Sequence, residues 1–141
     1  MAMTMHLDVV SAEAKMFSGT VQEVVVPGVM GAMGLLPRHA QLLSQLSPGE
    51  LRYITENGES ASLFVSGGVV EVQPHVVTVL ADTAIRAEEL DEAKAKEAKK
   101  RAEDALEGND PEDLDYDRLQ TELEAAKAQI EMLHRIGNMR R

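Results

Sequence analysis

The chain has no cysteine and no tryptophan, and only two phenylalanines and two tyrosines among its 141 residues. Without thiols there is no disulfide framework, no thiolate metal site and no cysteine nucleophile, which agrees with a reducing compartment. With so few rings there is no platform on which bases or sugars stack. Basic residues are also in short supply: 14 Lys and Arg against 24 Asp and Glu leave a net charge of −10 and an isoelectric point near 4.8. Nucleic acid binding draws on clustered Lys and Arg, so this balance points to protein partners and away from nucleic acid. No window approaches the ~18 apolar residues of a membrane helix, and Met1-Ala2-Met3-Thr4 lacks the basic-then-apolar order of a leader. A soluble chain that stays where it is made is expected.

What is present changes character near residue 85. Residues 1–85 hold 3 Lys/Arg and 8 Asp/Glu, whereas residues 86–141 hold 11 and 16. The first stretch can bury a core, and the second is mostly solvated surface. Two domains are therefore expected, 1–85 and 86–141.

Segments 5–10, 20–26, 51–56, 61–65, 69–73 and 76–80 alternate apolar and polar residues or run rich in valine, as half-buried strands do. Leu7 and Val9, Val70 and Val72, and Val77 and Val79 then share a face. Asn57-Gly58 reads as a two-residue hairpin turn, and Pro74-His75 separates two further strands. Short strands this close together predict an antiparallel sandwich or flattened barrel. Beyond it the period becomes helical. Leu90, Ala93, Ala98, Ala102, Ala105 and Leu106 predict a helix over 88–107. Gly108-Asn109-Asp110-Pro111 breaks it, with a left-handed cap. Leu119, Leu123, Ala126, Ile130 and Leu133 predict a second helix with a heptad-like seam, completing an antiparallel hairpin. The alanine-rich seam removes little apolar area from water, so the hairpin is expected to be only marginally stable by itself.

Gly28-Val29-Met30-Gly31-Ala32-Met33-Gly34 reads as a loop with a structural or protein-contact role. It lacks the Gly-Lys-Ser/Thr ending of a phosphate-binding loop, and Pro37 prevents an immediate helix. His39 has no nucleophile or carboxylate placed beside it by the sequence and reads as a packing residue of a turn. His6, His75 and His134 fall in different elements without ligand spacing, so no metal site is expected. Among the methionines, Met30 and Met33 are the expected contacts. The run 88–101 reads as a solvated helix face with pairs such as Glu92 and Lys96.

Leu36-Pro37-Arg38-His39-Ala40-Gln41-Leu42-Leu43, Val65-Ser66-Gly67-Gly68-Val69-Val70-Glu71-Val72, Val79-Leu80-Ala81-Asp82-Thr83-Ala84 and the opening His6-Leu7-Asp8-Val9-Val10-Ser11 occur in serial order. Together they resemble the epsilon-subunit family of bacterial F-type ATP synthases over essentially the whole chain. The resemblance implies a β-sandwich of about ten strands followed by a helical hairpin, in a non-catalytic subunit of the central stalk. The implied partners are the gamma subunit, the ring of c subunits and, when the helices extend to restrain ATP hydrolysis, the alpha/beta catalytic head. The implied place is peripheral, at the cytoplasmic face of the bacterial inner membrane.

Carried over residue by residue, the ring contacts are Met30, Gly31, Ala32, Met33 and His39. Relatives often have acidic residues at the positions of Met30 and Ala32, so apolar contact is expected to replace part of an ionic grip here. Leu90-Asp91-Glu92-Ala93-Lys94-Ala95 resembles the nucleotide-sensing motif, with Lys94 in place of an arginine and with Arg101 as a further match. Lysine lacks the planar fork that holds phosphate, so Asp91, Lys94 and Arg101 imply at most weak ATP binding, and no cofactor is required. Lys127, Arg135, Arg140 and Arg141 are the residues expected to meet the catalytic head. The rival readings are a free-standing nucleotide-binding regulator or small enzyme, and an adaptor with a helical arm.

Overall fold

The computed structural model describes residues 3–108 and 115–139, with side chains through 137. Nine strands form among them: β1 (Met5–Ser11), β2 (Lys15–Gly28), β3 (Gly31–Leu35), β4 (Leu42–Leu46), β5 (Gly49–Thr55), β6 (Ser60–Val65), β7 (Gly68–Val72), β8 (Val76–Ala81) and β9 (Ala84–Arg86). A 3-10 turn (Ala87–Glu89) leads to helices α1 (Glu92–Glu107) and α2 (Tyr116–Met139). The chain divides into Met1–Ala87 and Glu88–Arg141, two residues later than the change of composition suggests. Of the two extra residues, Arg86 belongs to the sheet, pairing with Leu63 from β9, and Ala87 opens the 3-10 turn.

The strand order is β1-β8-β7-β4-β2-β5-β6-β9, with β3 on β2 and a further β1–β2 pairing. The long strand β2 joins the two layers of the sandwich. Its first half pairs with β1, and its second half pairs with β3 and β5. A register shift between Val21 and Glu23 marks the crossing. The side-chain parity changes there too: Val21, Val24 and Val26 are all buried, a spacing of three and then two, because a bulge moves the alternation by one residue.

The expected core faces are observed. Leu7, Val9, Val70, Val72, Val77 and Val79 are buried together with Leu51, Leu63 and Val65 in one cluster. Phe17 and Tyr53 lie ring to ring at 4.2 Å, so two of the four aromatic side chains contact each other within the sandwich. No polar or charged residue is buried among the described residues.

The sandwich of about ten strands is observed, with nine among the described residues, and three of these, β3, β4 and β9, come from segments with weak alternation that the pattern did not mark. Several local expectations are corrected. The sheet is not wholly antiparallel: β1 runs parallel to β8, from His6 beside Val76 to Ser11 beside Ala81. A parallel pair needs a long connection, and nearly all of the sandwich intervenes between these strands. Asn57-Gly58 lies inside a four-residue connection, 56–59, between the strand ends Thr55 and Ser60, and of the two only Gly58 has positive φ.

In the helical unit, α1 starts at Glu92, not 88, because Asp91 caps it. Its buried positions are Ala95 and Ala102, seven apart, while Ala93 and Ala98 are exposed. A heptad through 95, 99, 102 and 106 is therefore the real seam, and the stem of Lys99 lies half-buried within it. Leu123 and Ala126 are buried as the second seam requires, joined by Met132 off that seam. Gly108 closes α1 at φ −92°, an ordinary right-handed conformation, instead of a left-handed cap. The rest of the expected breaker, Asn109-Asp110-Pro111, lies outside the described residues.

Candidate subunit interfaces

The glycine-rich segment is a hairpin and not an irregular loop. Gly28 pairs with Gly31 across the two-residue turn Val29-Met30. Small residues are needed here for two reasons: Gly31 has φ +125°, and a Cβ on Gly28 would lie 2.8 Å from the Gly31 carbonyl. The turn holds Met30 out at 97% exposure. Ala32 and Gly34 are exposed on β3, whereas Met33 folds back against the sandwich core. The two methionines singled out by sequence thus differ in availability, because period-two alternation sends Met33 inward.

His39 lies beyond the other end of β3, in a turn where its N–H donates to the Leu36 carbonyl at 3.2 Å. Its Nδ1 donates to the Ala40 carbonyl at 2.8 Å, a local turn contact. The neighbouring Arg38 takes φ 67°, unusual for a residue with a side chain, while its N–H donates to Pro74 at 2.7 Å. The five residues expected to contact the ring therefore split into a hairpin group and His39, separated by the ~13 Å length of a five-residue strand.

Sequence reasoning missed an apolar row on the outer face of the sandwich. Val69, Leu80 and Val10 are side by side on β7, β8 and β1. Leu80 is 55% exposed, and Leu43 on β4 is 71% exposed on the same face. Leu80 follows Val76 and Thr78 at outward positions of β8, so apolar residues at positions that the alternation turns outward were the available signal.

The same face carries His6, Asp8 and Ser18. Ser18 Oγ donates to Asp8 Oδ1 at 2.6 Å, and His6 Nε2 lies 3.1 Å from that oxygen and 3.2 Å from Ser18 Oγ. The Ser18 hydrogen bond is the main reason that the Asp8 carboxyl titrates below its ordinary value of 3.8. This is not a catalytic triad. Serine and aspartate converge on one imidazole nitrogen, whereas a triad needs the carboxylate on the other. The open cleft between Met3, Gln22, Glu23, Leu36, Pro37 and Ile54 has no cationic side chain for a phosphate.

In the helical unit, Asp91 accepts hydrogen bonds from the Ala93 and Lys94 N–H groups at 2.9 and 3.3 Å. Its carboxylate is engaged in capping α1. Lys94 and Arg101 are exposed seven residues apart, ~10 Å along one helix face, and Arg101 lies 4.0 Å from Glu97. The expected Glu92–Lys96 pair is present at 3.2 Å, and His134 of α2 reaches the same Glu92 oxygen at 2.9 Å. That cross-helix contact establishes the antiparallel hairpin. On α2, Lys127 is exposed and Arg135 half-buried. Arg140 and Arg141 lie outside the described residues.

Fold and surfaces define an assembly module: a β-sandwich with an apolar outer row and an exposed hairpin, followed by a charged helical hairpin. Residues 4–87 match the beta-sandwich domain of the ATP synthase delta/epsilon chain, and residues 88–133 match its long alpha-helix domain. The chain belongs to the ATP synthase delta/epsilon chain family. It is 55% identical over 137 residues to an ATP synthase epsilon chain of Thioalkalivibrio sulfidiphilus, covering 96% of each chain. It is 54% identical over 136 residues to that of Nitrosococcus oceani, again covering 96% of each. A chain in the Euglena gracilis mitochondrial ATP synthase structure shares the fold, with a TM-score of 0.82, 24% identity and coverage of 93% of this chain and 82% of that one.

Proposed function

We propose that this chain is a non-catalytic rotor subunit of ATP synthase, coupling rotation of the c ring through gamma to ATP synthesis. One observation carries the reading: the sandwich and long-helix domains match in order, and they meet at residue 87, where the fold itself divides. No helix among the described residues is long and apolar enough to cross a membrane. Membrane association at the cytoplasmic face would then come through the assembly. Val10, Leu43, Val69 and Leu80 suit gamma, since an exposed apolar patch rimmed by the His6–Asp8–Ser18 cluster has the composition of a protein interface. Met30 and Ala32, uncharged and exposed, suit the ring.

The helices act as a brake on hydrolysis in this reading, with Lys127, Arg135, Arg140 and Arg141 meeting the alpha/beta head. ATP binding at Asp91, Lys94 and Arg101 is a weaker element, because the Asp91 carboxylate already caps α1 and Lys94 offers no bidentate fork. Co-purification with gamma and the membrane sector tests the assembly role, and catalytic activity of the isolated chain would speak for the rival reading. A chain ending at residue 87 should assemble and release ATP hydrolysis from restraint; hydrolysis unchanged by the deletion removes the brake. Titration of the full chain with millimolar ATP, without any thermal or spectral response, removes the nucleotide element.

A further inference from the structure

The backbone of β3 has a free edge. Among the described residues β3 pairs with β2 alone. Because the turn Val29-Met30 has two residues, the flanking pair Gly28–Gly31 is hydrogen-bonded, and so are Val26–Met33 and Val24–Leu35 by alternation. Pro27–Ala32 and Val25–Gly34 are then the non-bonded pairs. Independent contacts support this phase: the Pro27 carbonyl accepts from Ser47 N–H at 2.8 Å and Val29 N–H donates to Gln45 at 3.2 Å, both toward β4 and away from β3. The N–H and C=O groups of Ala32 and Gly34 therefore point out of the sheet, two residues or ~7 Å apart.

Side chains do not shield this edge. Ala32 and Gly34 are exposed, and a Cβ added at Gly34 would meet nothing within 4 Å. Exposed edges are usually blunted by charge or proline. Here residues 24–37 carry no charge, and no proline lies within β3. We propose that the free edge of β3 takes an extended, uncharged segment of a neighbouring ATP synthase subunit as an added strand, hydrogen-bonded to Ala32 and Gly34.

The ladder specifies an extended backbone, and the uncharged surroundings disfavour an ionic partner. A second copy of this chain fits less well. One five-residue edge offers far less than the ~1,000 Å² of a self-sufficient interface, whereas in an assembly the strand adds to other contacts. The inference rests on the assembly role proposed above, but it specifies a backbone mode of attachment on which that role does not depend.

The test is hydrogen exchange at the Ala32 and Gly34 amides, in the isolated full chain and in the assembled enzyme. At least tenfold slower exchange in the assembly is expected. Ala32→Pro and Gly34→Pro each delete an outward N–H without removing a bond to β2, and each should weaken retention of the chain several-fold while the unfolding midpoint stays near wild type. Ala32→Lys, which keeps the amide and adds a gatekeeping charge, should weaken retention as well. If the proline variants fail to fold, the wild-type exchange decides. Equal exchange rates in the isolated and assembled states overturn the proposal while leaving the rotor reading intact. Protection in the isolated chain through dimerisation overturns it in favour of self-pairing. A wild-type chain that never joins the complex overturns both readings.

Discussion

Glu92 on α1 and His134 on α2, 42 residues apart in sequence, meet at 2.9 Å and fasten the first turn of one helix to the later turns of the other. Lys96 approaches the same carboxylate oxygen at 3.2 Å. The contact is solvent-exposed, so it guides the register of the hairpin more than it stabilises it.

The Glu92 carboxyl titrates below its ordinary 4.5, first because of the hydrogen bond from His134 and then because of Lys96. A depressed carboxylate favours the folded state above its ordinary pKa, and that contribution is lost as pH falls through the folded-state value. His134→Ala should move the Glu92 midpoint up toward 4.5, read by carboxyl NMR, and the stability difference from wild type should disappear at more acidic pH. An unmoved midpoint would show that the two helices are not joined there.

Asp91→Ala should lower the stability of the helical unit by about 1 kcal/mol, because two N–H groups of the first turn lose their acceptor. Asp91→Asn should restore most of it, since the amide oxygen also caps. Thermal unfolding followed at the helical circular dichroism band separates the two. If Asn destabilises as much as Ala, the role of Asp91 is carried by charge and not by capping.

Leu7 and Leu80 should behave as opposites. Leu7 is fully buried on β1, so Leu7→Ala should cost about 2–5 kcal/mol in denaturant unfolding. Leu80→Ser changes an exposed side chain and should stay within about 0.5 kcal/mol, yet it should weaken association with gamma. A Leu80 variant that binds gamma normally would remove the outer apolar row from the interface.

Glycine positions can be ranked in the same way. Gly68 has φ +132°, and a Cβ there would collide with the Leu80 carbonyl on β8, so Gly68→Ala should destabilise by at least ~1–3 kcal/mol. Gly34→Ala, with open space around it, should lie within about 0.5 kcal/mol. Equal effects at both positions would contradict the backbone geometry of the β6–β7 connection.

Local chemistry that repeats along the chain was legible beforehand. The alternation of Leu7 and Val9 or Val77 and Val79 states which face is wet, and the Ala and Leu spacing states where helices run. The motif order likewise carried the family, including Gly67-Gly68, whose positive φ values explain why glycines stand there. The β3 strand was hidden because three glycines read as loop, although Gly28 and Gly31 are what allow a two-residue turn to close. Seam choice in α1 failed by a few residues, since alanines at 93, 95, 98 and 102 provide overlapping stripes and only the neighbouring helix selects one. Among the candidate contacts, Met30 and Met33 were equivalent as letters.

By itself the sequence determined two modules, the boundary between them to within two residues, and most of the inward-facing positions, because burial imposes short-range periodicity that any chain must display. Tertiary structure alone decided that β1 lies parallel to β8, that β2 serves both layers, that Val10, Val69 and Leu80 form one row, and that His134 meets Glu92. Those relations join residues tens of positions apart, and nothing in local spacing encodes which distant backbone will supply the hydrogen-bonding partner.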